Sequence, residues 1–234
     1  MKKLWLNRNQ LKYLVIVAML IDHIAWGFVP LESVAGQVMH FIGRLTGPTM
    51  GYFLAEGYIH TRNKAKYGLR LGIFALISWV PFSLFEVSYW PSMHQSVIYT
   101  LFLGFLAMWV WDREKLSQTV KWLIIIGLIV LSLPGDWAIF DVAWPLALYI
   151  YRDNEQDRLR RYTVLCVTAT LVFVIGGDPW WRGLCNLGIM MVPLILRFCY
   201  NGERGSNHPF HKWFFYVFYP LHLLVLFLIK QYIL

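Results

Sequence analysis

The chain has 234 residues, of which 58% are hydrophobic and only 15% charged. A soluble domain carries roughly 25% charged residues, so these charges are too few to clothe a soluble globule, and lipid must cover much of the surface. The net charge of +8 reads as basic loops held on one side of a membrane rather than as a nucleic-acid footprint.

The hydrophobic stretches fall into nine expected spans, at 12–30, 35–58, 69–88, 96–111, 121–134, 138–151, 162–177, 184–200 and 212–230. A helix crosses a bilayer in about 20 residues. The fifth and sixth spans are short and joined by Pro134, Gly135 and Asp136. They are open to tilted or re-entrant readings, so eight to ten spans fit the pattern. The expected fold is therefore an all-α, polytopic helix bundle forming one transmembrane domain over 1–234.

Charge supports this layout. With the N-terminus in the cytoplasm, the inner segments hold Lys2, Lys3, Arg8 and Lys12, then Arg62–Arg70, Arg113–Lys121, Arg152–Arg161 and Arg197–Lys212. Eighteen of the 21 basic residues lie on that side, as the positive-inside rule requires. No small-residue cleavage site follows the first apolar stretch, which reads as a retained span. Cys166, Cys185 and Cys199 lie in apolar stretches and read as small buried hydrophobes. Their spacing makes neither a disulfide framework nor a metal motif, and no metal is expected.

Ionisable residues inside spans are expensive, and so are functional candidates. The first span carries Asp22 and His23. Lys12 lies 11 residues before His23, three helical turns and about 16 Å along the same face. A neutral imidazole can accept a proton from an acceptor group. Adjacent helical residues point about 100° apart, so Asp22 is not expected to orient His23 directly. In the second span Arg44 needs an anion, and Asp22 is the expected partner. Gly43, Gly47, Pro48 and Gly51 suggest close packing or a bend. Glu56 and His60 share a face at i and i+4, followed by Arg62, Lys64, Lys66 and Arg70. The last span carries Tyr216, Tyr219 and His222, with Pro220 between the last two. Structural hydrogen bonding within the bundle is the alternative reading of each cluster. Asp136, Asp141, Asp178 and Arg182 are expected to face water in or beside loops, and His94 with Glu86 to lie in an outer loop.

LKYLVIVAMLIDHIAW, IGRLTGPTMGYFLAEGYIHTRNKAKYGLRLGIFALIS and FFYVFYPLHLLVL together resemble the TraX family, over nearly the whole chain from Leu11 onward. That family takes its name from a membrane protein that N-acetylates conjugative pilin. It is similar to the wider transmembrane acyltransferases, among them acyltransferase family three, in which a basic residue, ten others and a His mark the first span. Lys12 and His23 match that spacing, although many members have Arg at the first position. The resemblance implies a multi-pass enzyme of the bacterial cytoplasmic (inner) membrane, with His23 as the catalytic candidate. It also implies acetyl-CoA, or another short acyl-CoA, as the donor.

CoA is a polyanion, so its head is expected against Lys12, Arg62 and Arg70, with Glu56, His60 and Tyr67 alongside, and against Arg158, Arg160 and Arg161 second. His23 would deprotonate an amine or hydroxyl on a peptide (such as a pilin N-terminus), a glycan or a lipid. Arg44 or Tyr219 would stabilise the oxyanion, and His222 would be a second proton carrier. A transporter passing protons or ions along Asp22, His23, Arg44, Glu56 and His222 uses the same residues. So does a structural subunit with no chemistry.

Overall fold

Short polar side chains set the helix starts. In the computed structural model, which describes residues 5–177 and 179–232, Asn7 Oδ1 accepts the Gln10 amide while Gln10 returns a bond to Asn7. Ser33, Asn63 and Ser117 cap in the same way, accepting the amides of Gly36, Lys66 and Val120. Each cap satisfies a helical N–H that has no partner within its own helix. The helices so begun are α1 (Arg8–Phe28), α2 (Val34–Gly43), α4 (Lys64–Val87) and α6 (Gln118–Leu131). The remaining elements are α3 (Thr46–His60), α5 (Val97–Trp111), α7 (Phe140–Ile150), α8 (Glu155–Ile175), a 3₁₀ helix (Trp180–Met190), α9 (Met191–Phe198) and α10 (Pro209–Tyr232). No strand occurs among the described residues. Lys2, Lys3 and Asp178 lie outside them.

The all-α membrane character expected from composition holds. Among the described residues, four segments are long and apolar enough to cross a bilayer: Arg8–Phe28, Lys64–Val87, Trp180–Phe198 and Pro209–Tyr232. Val97–Trp111, Gln118–Leu131 and Phe140–Ile150 are apolar but shorter. The stretch expected as one span over 35–58 is instead broken after Gly43, and a new helix begins at Thr46. Pro48 fits the restart: it lacks an N–H and stands in the first turn of α3, where no N–H partner within the helix is needed.

The chain packs as two compact units, Met1–Thr49 with Thr163–Leu234, and Met50–Tyr162. In the first, α1 packs on α2 and α10, and α2 on the 3₁₀ helix. Leu11, Val15, Ala18 and Met19 of α1 are buried, while Leu14 and Val17 on its other face are more than half exposed. In a membrane protein such apolar exposure is lipid contact. Tyr219, His222, Leu223 and Leu226 form the buried stripe of α10 at helical spacing. Gly43 lets α2 approach α1 closely, because a Cβ there would lie 2.2 Å from Asp22 Cβ and Cγ.

In the second unit α5 is the central helix, against α4, α6 and α7, and Phe105, Ala107 and Met108 are fully buried. An apolar cleft of about 890 Å³ lies among α4, α5 and the end of α6, with Gly72, Trp79, Phe102 and Trp109 among its walls. Asp141 does not face water as expected. It is fully buried in the first turn of α7, with Thr100 Oγ1 2.6 Å from Oδ2. The end of α5 is tied by Asp112, whose carboxylate accepts from Tyr58 at 3.1 Å and from Tyr149 and Lys64. The Lys64 ammonium also stands 4.3 Å from the Tyr58 ring centroid. Partial burial opposes the Asp112 charge, but Lys64, Tyr149 and Tyr58 outweigh it and hold the carboxyl below its ordinary value of 3.8.

Two stability predictions follow from these contacts. Asp112→Asn should cost about 1–2 kcal/mol at pH 7, the low end for charged hydrogen bonds because water reaches part of the side chain. A folded value below the ordinary one makes this contribution full above pH 3.8 and lost as pH falls further. Thermal unfolding should therefore separate variant from wild type at neutral pH and bring them together in acid. Gly43→Ala should cost about 1–3 kcal/mol by overpacking, read as a lower unfolding midpoint.

Candidate functional site

In the first unit α1 presents its two adjacent ionisable residues to different neighbours. His23, 9% exposed, meets α10: its Nδ1 lies 3.1 Å from His222 Nε2, with ring centroids 4.9 Å apart. The Tyr219 ring stands edge-on to His23 at 6.3 Å. His222 Nδ1 lies 2.9 Å from the Phe218 carbonyl. A carbonyl only accepts, so His222 carries its proton on Nδ1. In the neutral pair His222 Nε2 is then an acceptor, and the one hydrogen on the imidazole–imidazole axis belongs to His23 Nδ1. This leaves His23 Nε2 as the basic nitrogen, the tautomer a general base requires.

Asp22 faces α2 instead. Its Oδ1 accepts from His40 Nδ1 at 2.7 Å and lies 3.8 Å from Arg44 Nη2. The expected Asp22–Arg44 pairing is therefore present, and Asp22 does not bond to His23. His40 is 1% exposed, with the Trp26 ring edge-on at 5.5 Å. His40 was missed from sequence. The signal was there, because His40 and Arg44 stand at i and i+4 and share one face that can bracket a single carboxylate. Lys12 lies farther toward the start of α1, its ammonium 5.1 Å from the Phe215 ring centroid. Cys166 and Cys185 are buried thiols, as their apolar context predicts.

The other expected site residues gather in the second unit. Glu56 is buried and pairs with Arg158 at 2.6 Å, and its second oxygen lies 3.9 Å from His60 Nε2. The Arg158 guanidinium is 5.0 Å from the Tyr52 ring centroid. Tyr67 packs against Gly57, where a Cβ would meet its hydroxyl at 2.8 Å, and the Arg70 guanidinium lies 5.2 Å from the Tyr67 ring centroid. Arg62 is exposed. Outside these clusters, Arg182 pairs with Glu32 at 2.7 Å. No group of three His, Cys, Asp or Glu among the described residues is arranged to hold a metal ion.

Comparison with known proteins extends this picture. The chain is 31% identical over 230 residues, 93% of each chain, to a protein named "Probable fimbrial assembly protein FimC, serogroup H1" from Dichelobacter nodosus. No solved structure matches it. The family profile described as TraX protein matches residues 7–230, which include both imidazoles of the α1–α10 pair and the His40–Asp22–Arg44 cluster. The chain belongs to the TraX family.

Proposed function

We propose that this protein is a membrane-embedded acyltransferase that moves an acetyl or other short acyl group from acyl-CoA to an amine or hydroxyl. The observation that carries the reading is the Phe218 carbonyl–His222–His23 chain, which makes His23 Nε2 the basic nitrogen. His23 takes the acceptor's proton as the nucleophile attacks the thioester carbonyl. The C–S bond then breaks, its electron pair goes to sulfur and CoA leaves as the thiolate, the proton remaining on His23. His222 accepts from His23 Nδ1–H and stabilises the imidazolium as it forms. Arg44 or Tyr219 serves the carbonyl oxygen that becomes negative.

Family membership supports a transferase, and the name of the Dichelobacter nodosus relative supports a fimbrial or pilus setting. The acceptor in this reading is the N-terminus of a pilin-type subunit, with glycan or lipid hydroxyls as the other outcomes of a test. The nine-span layout, with a cytoplasmic N-terminus in the bacterial inner membrane, belongs to the same reading. So does assignment of the CoA phosphates to the basic segment of Arg62 and Arg70, with Tyr67 and His60 beside it. Glu56 is compensated by Arg158, so it adds no net repulsion toward a polyanion.

Mass spectrometry of envelope proteins and glycans, with and without the gene, tests the activity. The expected result is one acetylated species that disappears with the gene. Solute movement without any acyl product would establish transport instead. His23→Ala should lower transfer by about 10²–10⁴-fold, the usual worth of a general base, while thermal unfolding shows a folded protein. His222→Gln, which keeps an acceptor for His23 Nδ1–H, should retain more activity than His222→Phe. Equal activity in those two variants would remove His222 from the mechanism. Arg62→Ala and Arg70→Ala should each raise the apparent KM for acetyl-CoA about tenfold, the worth of one charge-assisted hydrogen bond. An unchanged KM places the CoA head elsewhere.

A further inference from the structure

We propose that His40, held by Asp22, is the general acid that protonates the departing sulfur. The inference rests on the acyltransferase reading and adds a catalytic residue to it. Its basis is the difference between the two imidazole environments. His23 leans on a second imidazole. His40 leans on a carboxylate, with its Nδ1 donating to Asp22 Oδ1 at 2.7 Å. That bond fixes the His40 ring and its tautomer and leaves Nε2 as the working nitrogen. The negative charge of Asp22 compensates a proton held there, the role a buried carboxylate plays behind a catalytic imidazole.

The groups facing His40 can be named for each element packed on α2. From α1 they are Asp22 and His23, electrostatically coupled to it. From the 3₁₀ helix comes Cys185, whose thiol donates to the Arg182 carbonyl at 3.6 Å. Arg44 caps α2 itself, 3.8 Å from Asp22. His40 is almost fully buried, and the absence of a Cβ at Gly43 is what admits Asp22 to this position. A carboxylate drawn into lipid-embedded helices to hold one imidazole is a costly arrangement. Packing alone would be met more cheaply by apolar side chains.

The step balances. The acceptor's N–H or O–H proton passes to His23 Nε2 as the new C–N or C–O bond forms. The C–S bond breaks, its electron pair goes to sulfur, and sulfur takes the proton from His40 Nε2. The products are the amide or ester and the free thiol. His23 is then cationic and His40 neutral, and one proton transfer between them restores the starting state.

Leaving-group dependence separates this role from a structural one. The full-length protein in membrane vesicles is assayed with acetyl-CoA and with S-(4-nitrophenyl) thioacetate, whose thiolate leaves without a proton. His40→Gln should lose about 10²–10³-fold with acetyl-CoA but only a few-fold with the aryl thioester. Asp22→Asn, which keeps an acceptor for His40 and loses the charge, should follow the same pattern. His23→Ala should lose activity with both donors. Thermal unfolding accompanies each assay, and if His40→Gln does not fold, Asp22→Asn alone decides. Equal losses on the two donors, or no loss on either, overturn the acid role and leave the acyltransferase reading standing. Wild-type protein that transfers acetyl from neither donor overturns both.

Discussion

Hydrocarbon offers no hydrogen bonds, so each polar side chain at depth must find its partner inside the chain. On α1 that demand falls on two consecutive residues. Asp22 and His23 project about 100° apart on a helix, so no single neighbour can satisfy both. The helix must be packed on two sides. α2 supplies His40 and Arg44 to the carboxylate, and α10 supplies His222 to the imidazole. The bare backbone at Gly43 and the buried stripe of α10 are the means by which those two neighbours come close enough.

The second unit meets the same demand differently. Two of its acids are matched by a cation and by aromatic hydroxyls or faces, Asp112 by Lys64, Tyr58 and Tyr149, and Glu56 by Arg158 over Tyr52, while the buried Asp141 is met by the Thr100 hydroxyl. The basic residues near these helix ends are therefore of two kinds. Lys64 and Arg158 are committed to buried or half-buried carboxylates. Arg62, Lys66, Arg160 and Arg161 are exposed. Counting positive charges along the sequence cannot separate the two kinds, because commitment depends on residues far away in the chain, such as Asp112 for Lys64.

What could be read from sequence followed the reach of each signal. Hydropathy is a local sum, and it identified an all-α membrane protein and the approximate place of most helices. Hydropathy alone could not see the break between α2 and α3, because the helices on either side are both apolar, although Gly43, Gly47, Pro48 and Gly51 suggest close packing or a bend. The cost of buried charge is a single-residue signal, and it picked out Asp22, His23, Arg44, Glu56 and His222. The same rule applies to His40, but a lone histidine between Met39 and Phe41 lacks the charged neighbour that draws attention to His23. Asp141 was misjudged because its closeness to a turn was read as solvent access. Its burial comes from packing on α5, where Gly104 leaves room for the Asp141 backbone. Pairing was the least legible layer: Asp22 with Arg44 followed from need, while His23 with His222 joins residues 199 apart.

That last pairing separates two tasks that one carboxylate often performs together. A carboxylate behind a histidine fixes its tautomer and also neutralises its positive charge. Here the neighbour that fixes the His23 tautomer is an imidazole, which adds no charge of its own in a low-dielectric setting. The carboxylate sits one residue away, turned to the opposite neighbour and shared between His40 and Arg44. An imidazole arranged in this way holds its lone pair without a permanent ion pair against it. The adjacency of Asp22 and His23 in sequence, which first suggests a bonded dyad, is thus what places the charge close by while keeping it out of the hydrogen bond.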